Sequence, residues 1–315
     1  MKRILVIRFS ALGDVAMVVP VVRALAEQHP DAEITMLSQH RMADLFAGMP
    51  GNVRFHGVDL KQQSLREIVA GLGSYDLVAD LHGVWRSLYV RMRMRLRGAG
   101  VATINKGRRA KRRLIRGSVR TPLPHTTTRY AEVFQQLGLP VVLTPTPLHT
   151  DGKGIGVAPF AAHPGKCYPL ERMEQVVAAL SERGEKVVLF GGKEEAKLLD
   201  TWAAKYPGVT SVAGRHTLGE ELALMRGLRV MLTMDSANMH LASLVGTRVV
   251  SVWGATHPYA GFLGYGQKES DCVQRDLECR PCSVYGNKAC KFGDYRCLSI
   301  APTDILEPLE MENGK

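Results

Sequence analysis

Two hydrophobic rhythms alternate along this chain. Short, nearly all-apolar runs at residues 3–8, 33–37, 53–56, 77–81 and 101–104 are separated by amphipathic stretches at 15–27, 42–46, 65–72 and 85–96. The runs lack the period-two alternation of a strand with one wet face. They predict strands covered on both sides, the condition of a parallel sheet flanked by helices. A second series follows TPTPLHTDGKG at 144–154, whose Pro, Thr and Gly content marks a linker. There, runs at 155–158, 187–190, 209–212, 230–233 and 249–253 alternate with helical stretches at 170–182, 194–205, 218–225 and 237–244. The pattern predicts an α/β protein of two doubly wound domains, residues 1–150 and 151–315, and 315 residues leave room for two cores of ordinary size. Ligands of such sheets bind outside the carboxyl ends of the strands. A cleft between the domains is therefore the expected meeting place of two substrates.

Composition adds few surprises and charge adds one. Hydrophobic residues make up 45% and charged residues 23%, as in a globular protein. No apolar run approaches the ~20 residues that span a bilayer. The first apolar stretch is cut by Arg8 and Asp14, so no signal peptide is expected and the cytosol is the expected compartment. Its six cysteines are then expected as reduced thiols. The net charge is +11, but residues 81–131 hold fourteen Lys and Arg and no Asp or Glu, which leaves the rest slightly acidic. A basic surface confined to one segment fits an anionic partner.

Four strand-to-helix turns carry residues suited to chemistry. In TMDSANMH, Asp235 or Ser236 can cap the following helix, and the small Ser236 and Ala237 leave its first N–H groups accessible to a phosphate. In APFAAHPGKCYP, Lys166 is either a solvated lysine or a point charge for phosphate at a strand end. In FGGKEE, Gly191 and Gly192 permit close approach of a ligand, and Glu194 can accept hydrogen bonds from a ribose diol. None of these is a dinucleotide or P-loop fingerprint, which disfavours a dehydrogenase or a P-loop enzyme. In FSALGDVAMVVP, Asp14 is either an N-cap or a cleft-facing carboxylate able to take a proton from a hydroxyl.

Together, RILVIRFSALGDVAMVVPVVRAL at 3–25 and MDSANMHLASLVGTRVVSVWGATHP at 234–258 resemble the bacterial heptosyltransferases of lipopolysaccharide core synthesis, glycosyltransferase family 9. The resemblance extends over nearly the whole chain. It implies the GT-B fold, with two Rossmann-like domains facing across a cleft, the acceptor on the first and an ADP-sugar on the second. It implies inversion at the anomeric carbon, with no metal and no cofactor. By resemblance Asp14 is the catalytic base and Lys166 neutralises the leaving diphosphate. Asp235 contacts the donor sugar, Ser236 and Ala237 form the phosphate turn, and His240 stands near the nucleotide. Glu194 corresponds to the ribose-binding acid, and the main chain around His216 lies where the adenine is held. The chain departs from the family pattern at Ala161 and Ala162, where hydroxyl residues are usual, and at Ala237 and Asn238.

The basic segment and the cysteines remain. Arg91, Arg93, Arg95 and Arg97 alternate with apolar residues at strand-like spacing, yet they also continue the helical stretch 85–96. Arg108, Arg109, Lys111, Arg112, Arg113 and Arg116 form a dense cluster that reads as a loop. The cluster is either a solvated face or a surface for an anionic glycolipid acceptor, the lipid A inner core, with peripheral contact to the cytoplasmic face of the inner membrane. No nucleic-acid-reading module accompanies it, so nucleic acid is not the expected partner. Cys279, Cys282, Cys290 and Cys297 form one C-x2-C pair and two singles, open to a reading as reduced thiols or as zinc ligands, with no catalytic assignment. Rival functions are transfer of another nucleotide sugar to another glycan, or a nucleotide- or RNA-binding protein that is not an enzyme.

Overall fold

The computed structural model describes residues 1–310. The chain divides into two compact units, one of Met1–Lys106 with Pro124–Pro145, the other of Gly107–Leu123 with the chain from Thr146 onward.

Unit 1 holds strands β1 (Lys2–Ile7), β2 (Ala32–Gln39), β3 (Val53–Val58), β4 (Leu77–Asp80) and β5 (Gly100–Thr103), all parallel, in the order β3-β2-β1-β4-β5. Helices α1 (Leu12–Ala16), α2 (Val19–Gln28), α3 (Leu65–Gly71) and α4 (Trp85–Leu96) make the crossovers, with a 3-10 turn, His40–Phe46, after β2. The single helical stretch expected at 15–27 is two helices. Pro20 opens the second, where its missing N–H goes unneeded. Helix α3 starts on a capping box, Ser64 Oγ accepting from Glu67 N–H and Glu67 Oε2 from Ser64 N–H. Helix α4 settles the ambiguous Arg alternation as helical. Its Val90 and Met94 are fully buried, and each such side chain contributes roughly 1.5–3 kcal/mol.

Residues 107–123 depart from the expected domain boundary. They carry helix α5 (Arg108–Ile115), where a loop was expected, and belong to unit 2. The physical reason is local: Lys111 lies over the Phe262 ring, its ammonium 4.0 Å from the centroid, and Leu123 N–H donates to the Tyr259 carbonyl. Helix α6 (Thr126–Gln136) returns to unit 1 and buries Tyr130, Val133 and Phe134.

Unit 2 holds β6 (Ile155–Ala158), β7 (Val187–Leu189), β8 (Val209–Ser211), β9 (Val230–Met234), β10 (Arg248–Trp253) and β11 (Cys272–Gln274), all parallel, in the order β11-β10-β9-β6-β7-β8. Helices α7 (Leu170–Glu182), α8 (Ala196–Lys205), α9 (Leu218–Arg226) and α10 (Ala237–Leu244) connect them. Helix α11 (Pro302–Glu310) adds Ile305, Leu306 and Leu309 to the same core as Met173, Val177 and Leu180 of α7. In each sheet the order reverses at one point, between β1 and β4 and between β6 and β9. Those two switch points are where ligands of doubly wound sheets bind.

Candidate active site

At the unit 1 switch point the chain leaves β1 through Arg8 and Phe9 and enters α1. Ala11 holds the cap position, so Asp14 is not the N-cap but sits one turn in, its Oδ2 accepting from Ala11 N–H at 3.3 Å. Arg8 pairs with the same oxygen at 2.6 Å and donates from its other terminal nitrogen to the Leu81 carbonyl at 2.8 Å. One buried guanidinium thus spans the ends of β1 and β4 and aims the carboxylate. The Asp14 side chain keeps 29% exposure, enough to reach a ligand hydroxyl.

Beside it stands His82, which sequence reasoning missed. Its Nδ1 accepts from Phe9 N–H at 3.4 Å, and burial, then the positive charge of Arg8 and Lys106, push its pKa down to about 3. The ring is therefore neutral at physiological pH. Asp80 fixes this loop by accepting from His82 and Gly83 N–H at 3.0 and 2.8 Å. The available signal was position: both residues close the apolar run that becomes β4.

At the unit 2 switch point, Lys166 and Asp235 form an ion pair of 2.9 Å, and Thr256 Oγ1 donates to the same Asp235 oxygen at 2.7 Å. Asp235 is buried, so it is a paired site residue and not the helix cap. Ser236 holds the N-cap of α10 but makes no side-chain cap, its Oγ lying 3.1 Å from Thr233 Oγ1 instead. The first amides of α10, with Ala237 leading, therefore lack a side-chain acceptor from the cap, an arrangement suited to phosphate oxygens. His240 lies buried one turn further on.

Glycine permits this geometry at one place. A Cβ on Gly165 would lie 2.9 Å from Ala255 Cβ and 3.0 Å from the Gly286 carbonyl oxygen. With none, Ala255 N–H donates to the Gly165 carbonyl at 2.7 Å, and the Lys166 turn packs against the end of β10.

The remaining expected residues lie as follows. Glu194 is exposed in the turn after β7, where its neighbour Glu195, not Glu194, accepts from Gly192 N–H. His216 is exposed before α9, with Nδ1 3.7 Å from Glu220. Arg108, Arg109, Arg112 and Arg113 of α5 and Arg116 at its C-cap are exposed, but Lys111 is buried against Phe262 and is withdrawn from any anion-binding face.

All six cysteines are free thiols. Cys279, Cys282, Cys290 and Cys297 line one small cavity together with Arg280, Lys291 and Arg296. Burial raises the Cys282 and Cys297 thiols, whereas backbone amides, that of Phe292 foremost, lower Cys290. Among the described residues no three His, Cys, Asp or Glu side chains stand arranged to hold a metal ion.

Residues 65–292 match the family described as glycosyltransferase family 9 (heptosyltransferase). The chain is 26% identical over 278 residues to Escherichia coli lipopolysaccharide heptosyltransferase 3, covering 78% of this chain and 81% of that one. Among solved structures, a glycosyltransferase family 9 protein from Veillonella parvula superposes with a TM-score of 0.73 at 21% identity, over 98% of this chain and 96% of that one. E. coli heptosyltransferase WaaC with ADP-2-deoxy-2-fluoro heptose superposes with a TM-score of 0.71 at 16% identity, over 98% and 99%.

Proposed function

The chain belongs to glycosyltransferase family 9, and from that premise we propose that it moves a heptose from ADP-heptose to a hydroxyl of the lipopolysaccharide inner core, with inversion and without a metal. Its fold is GT-B. The observation that carries the reading is the chemistry at the two switch points: an aimed, partly exposed carboxylate in unit 1, and a Lys–Asp pair with a buried carboxylate beside uncapped helix amides in unit 2.

The steps follow from charge. Asp14 takes the proton of the acceptor hydroxyl as its oxygen attacks the anomeric carbon on the face opposite the nucleotide. The bond from that carbon to the diphosphate oxygen breaks, and ADP leaves with the electron pair. Lys166 and the amides of Ser236 and Ala237 stabilise the charge growing there, usually the largest single contribution to such catalysis. Asp235 Oδ2 is taken by Lys166 and Thr256, which leaves Oδ1 for a sugar hydroxyl. His240 stands by the nucleotide, Glu194 takes the ribose, and the backbone at His216 takes the adenine. ADP needs no proton to leave, so one base suffices.

The acceptor is an anionic glycolipid, lipid A with its acidic inner sugars, met by the exposed arginines of α5. The enzyme works in the cytoplasm, peripheral on the inner face of the inner membrane. No helix among the described residues is long and apolar enough to cross a membrane.

Thermal melting with ADP, UDP, GDP and NAD, each without added metal, tests the donor. At ~100 times its dissociation constant a ligand adds ~2.7 kcal/mol. ADP alone is expected to shift the melt, followed by release of ADP from ADP-heptose when acceptor is added. A shift with UDP or GDP and none with ADP overturns the donor assignment.

A further inference from the structure

Helix α4 has three faces. One is the buried seam of Ser87, Val90 and Met94 that holds it to unit 1. The opposite face carries Trp85, Leu88, Tyr89, Met92 and Leu96, all exposed, Trp85 at 66% and Leu96 at 77%. At 3.6 residues per turn these five fall within an arc of roughly 100°. Between the two apolar faces run arginines, with Arg86 and Arg93 along one border of the exposed stripe and Arg95 and Arg91 along the other. The turn that ends the helix adds Arg97.

Exposed large apolar side chains scattered singly need no explanation, whereas a contiguous stripe marks a contact surface. The borders say what it contacts. Arg91 is already paired with Asp80 at 3.7 Å and Arg97 donates to the Val69, Leu72 and Gly73 carbonyls, but a protein partner would still have to supply acceptors to Arg86, Arg93 and Arg95. An anionic bilayer supplies acceptors along both borders and apolar depth between them, and arginine stems lie on apolar surface while their heads reach phosphate. Trp and Tyr are the side chains that favour the boundary between headgroups and acyl chains. We propose that α4 is the element by which this protein docks on an anionic membrane, with Trp85, Leu88, Tyr89, Met92 and Leu96 entering the boundary region and Arg93 and Arg95 pairing with lipid phosphates.

This assigns the membrane contact of the proposed function to α4 and leaves the α5 arginines to the acceptor glycan. It rests on that reading for the choice of a bilayer, and its test uses no sugar chemistry, so the two fail separately. Of the three tryptophans, Trp202 and Trp253 are fully buried, which makes Trp85 a built-in probe. The whole protein is mixed with vesicles of phosphatidylcholine alone, or with about 30% phosphatidylglycerol, whose anionic surface attracts basic side chains. Binding is expected only with the anionic vesicles, weakening with salt, with a blue shift of tryptophan emission that Trp85→Phe removes. Leu88→Ser with Met92→Ser is expected to lower partition by roughly tenfold or more with an unchanged melting temperature, because both side chains are exposed. Arg93→Glu with Arg95→Glu is expected to lower it by roughly fivefold or more per residue. Arg108→Glu with Arg109→Glu leaves vesicle binding in place. Unshifted emission in anionic vesicles, or full binding by the Ser double variant, overturns the proposal. So does a dimer in light scattering that the Ser double variant dissociates, which would give the stripe to a second copy of the chain.

Discussion

The two switch points hold their carboxylates in opposite ways. Asp14 is tethered to one guanidinium and one amide and stays partly open to solvent. Asp235 is buried, with a lysine and a threonine on a single oxygen. An open carboxylate on a rigid tether suits a group that must receive a proton. A buried, multiply bonded one suits a group that must hold a ligand in one orientation. Identical side chains at the switch points of two similar sheets, one after β1 and the other after β9, are thus set apart by their neighbours.

The largest effect should come from breaking the open one. Asp14→Asn keeps the shape and removes the proposed proton acceptor, and is expected to lower kcat by roughly 10²–10⁴-fold, the usual worth of a general base. ADP affinity, read by calorimetry, should be unchanged, since unit 2 is untouched. A variant that keeps kcat within a few fold leaves Asp14 a structural residue and moves the base elsewhere.

Lys166→Ala attacks the other side of the comparison and should be milder. On the proposed mechanism it removes one donor to the leaving diphosphate, with an expected loss of roughly 10²-fold in kcat/KM. It also strands the buried Asp235 carboxylate, so ADP affinity should fall together with the rate. The contrast is the test: one variant separates chemistry from nucleotide binding and the other couples them. Equal ADP affinity in both variants would mean that Lys166 does not face the diphosphate.

Much of this arrangement is legible in the amino-acid sequence. Buried parallel strands advertise themselves as unbroken apolar runs, and Asp14, Lys166 and Asp235 each lie in the connection that follows such a run. Pairing across the sheet is what local patterns do not carry. The Lys166–Asp235 contact exists because β6 and β9 are neighbours, and the Arg8 bridge because β1 and β4 are. Strand order is a tertiary fact, set by which apolar faces pack together. Helix α4 resembles a strand in sequence because it is apolar on two opposite faces, so Arg and apolar residues alternate along it. Helix α5 resembles a loop because five of its eight residues are basic and only Ala110, Leu114 and Ile115 are apolar, and only Phe262, far along the chain, explains Lys111. Helix α6 hides behind its TTT start, although Tyr130, Val133 and Phe134 have helical spacing. Strand β11 is a three-residue edge, too short to leave a pattern.

The smallest effect sharpens the comparison through pH. His82 has a pKa of about 3 in the folded chain against 6.5 for a free histidine, from burial and from Arg8 and Lys106. Between those values the unfolded chain takes up a proton that the folded chain refuses. Stability is therefore full above about pH 6.5 and declines as the pH falls toward 3. The slope is at most about 1.4 kcal/mol per pH unit, less whatever solvent screening at the partly exposed ring removes. His82→Gln keeps the ring nitrogen's place as a hydrogen-bonding group and removes the titration. Urea midpoints at about pH 7 and about pH 5, either side of the free-histidine value, should lie closer together in the variant than in the native chain. His257, held at about 4 by its own burial in unit 2, contributes the same slope to both proteins, so the difference isolates His82. An unchanged gap would mean that protonated His82 is tolerated beside Arg8, and that the neutral ring is no part of what positions Asp14.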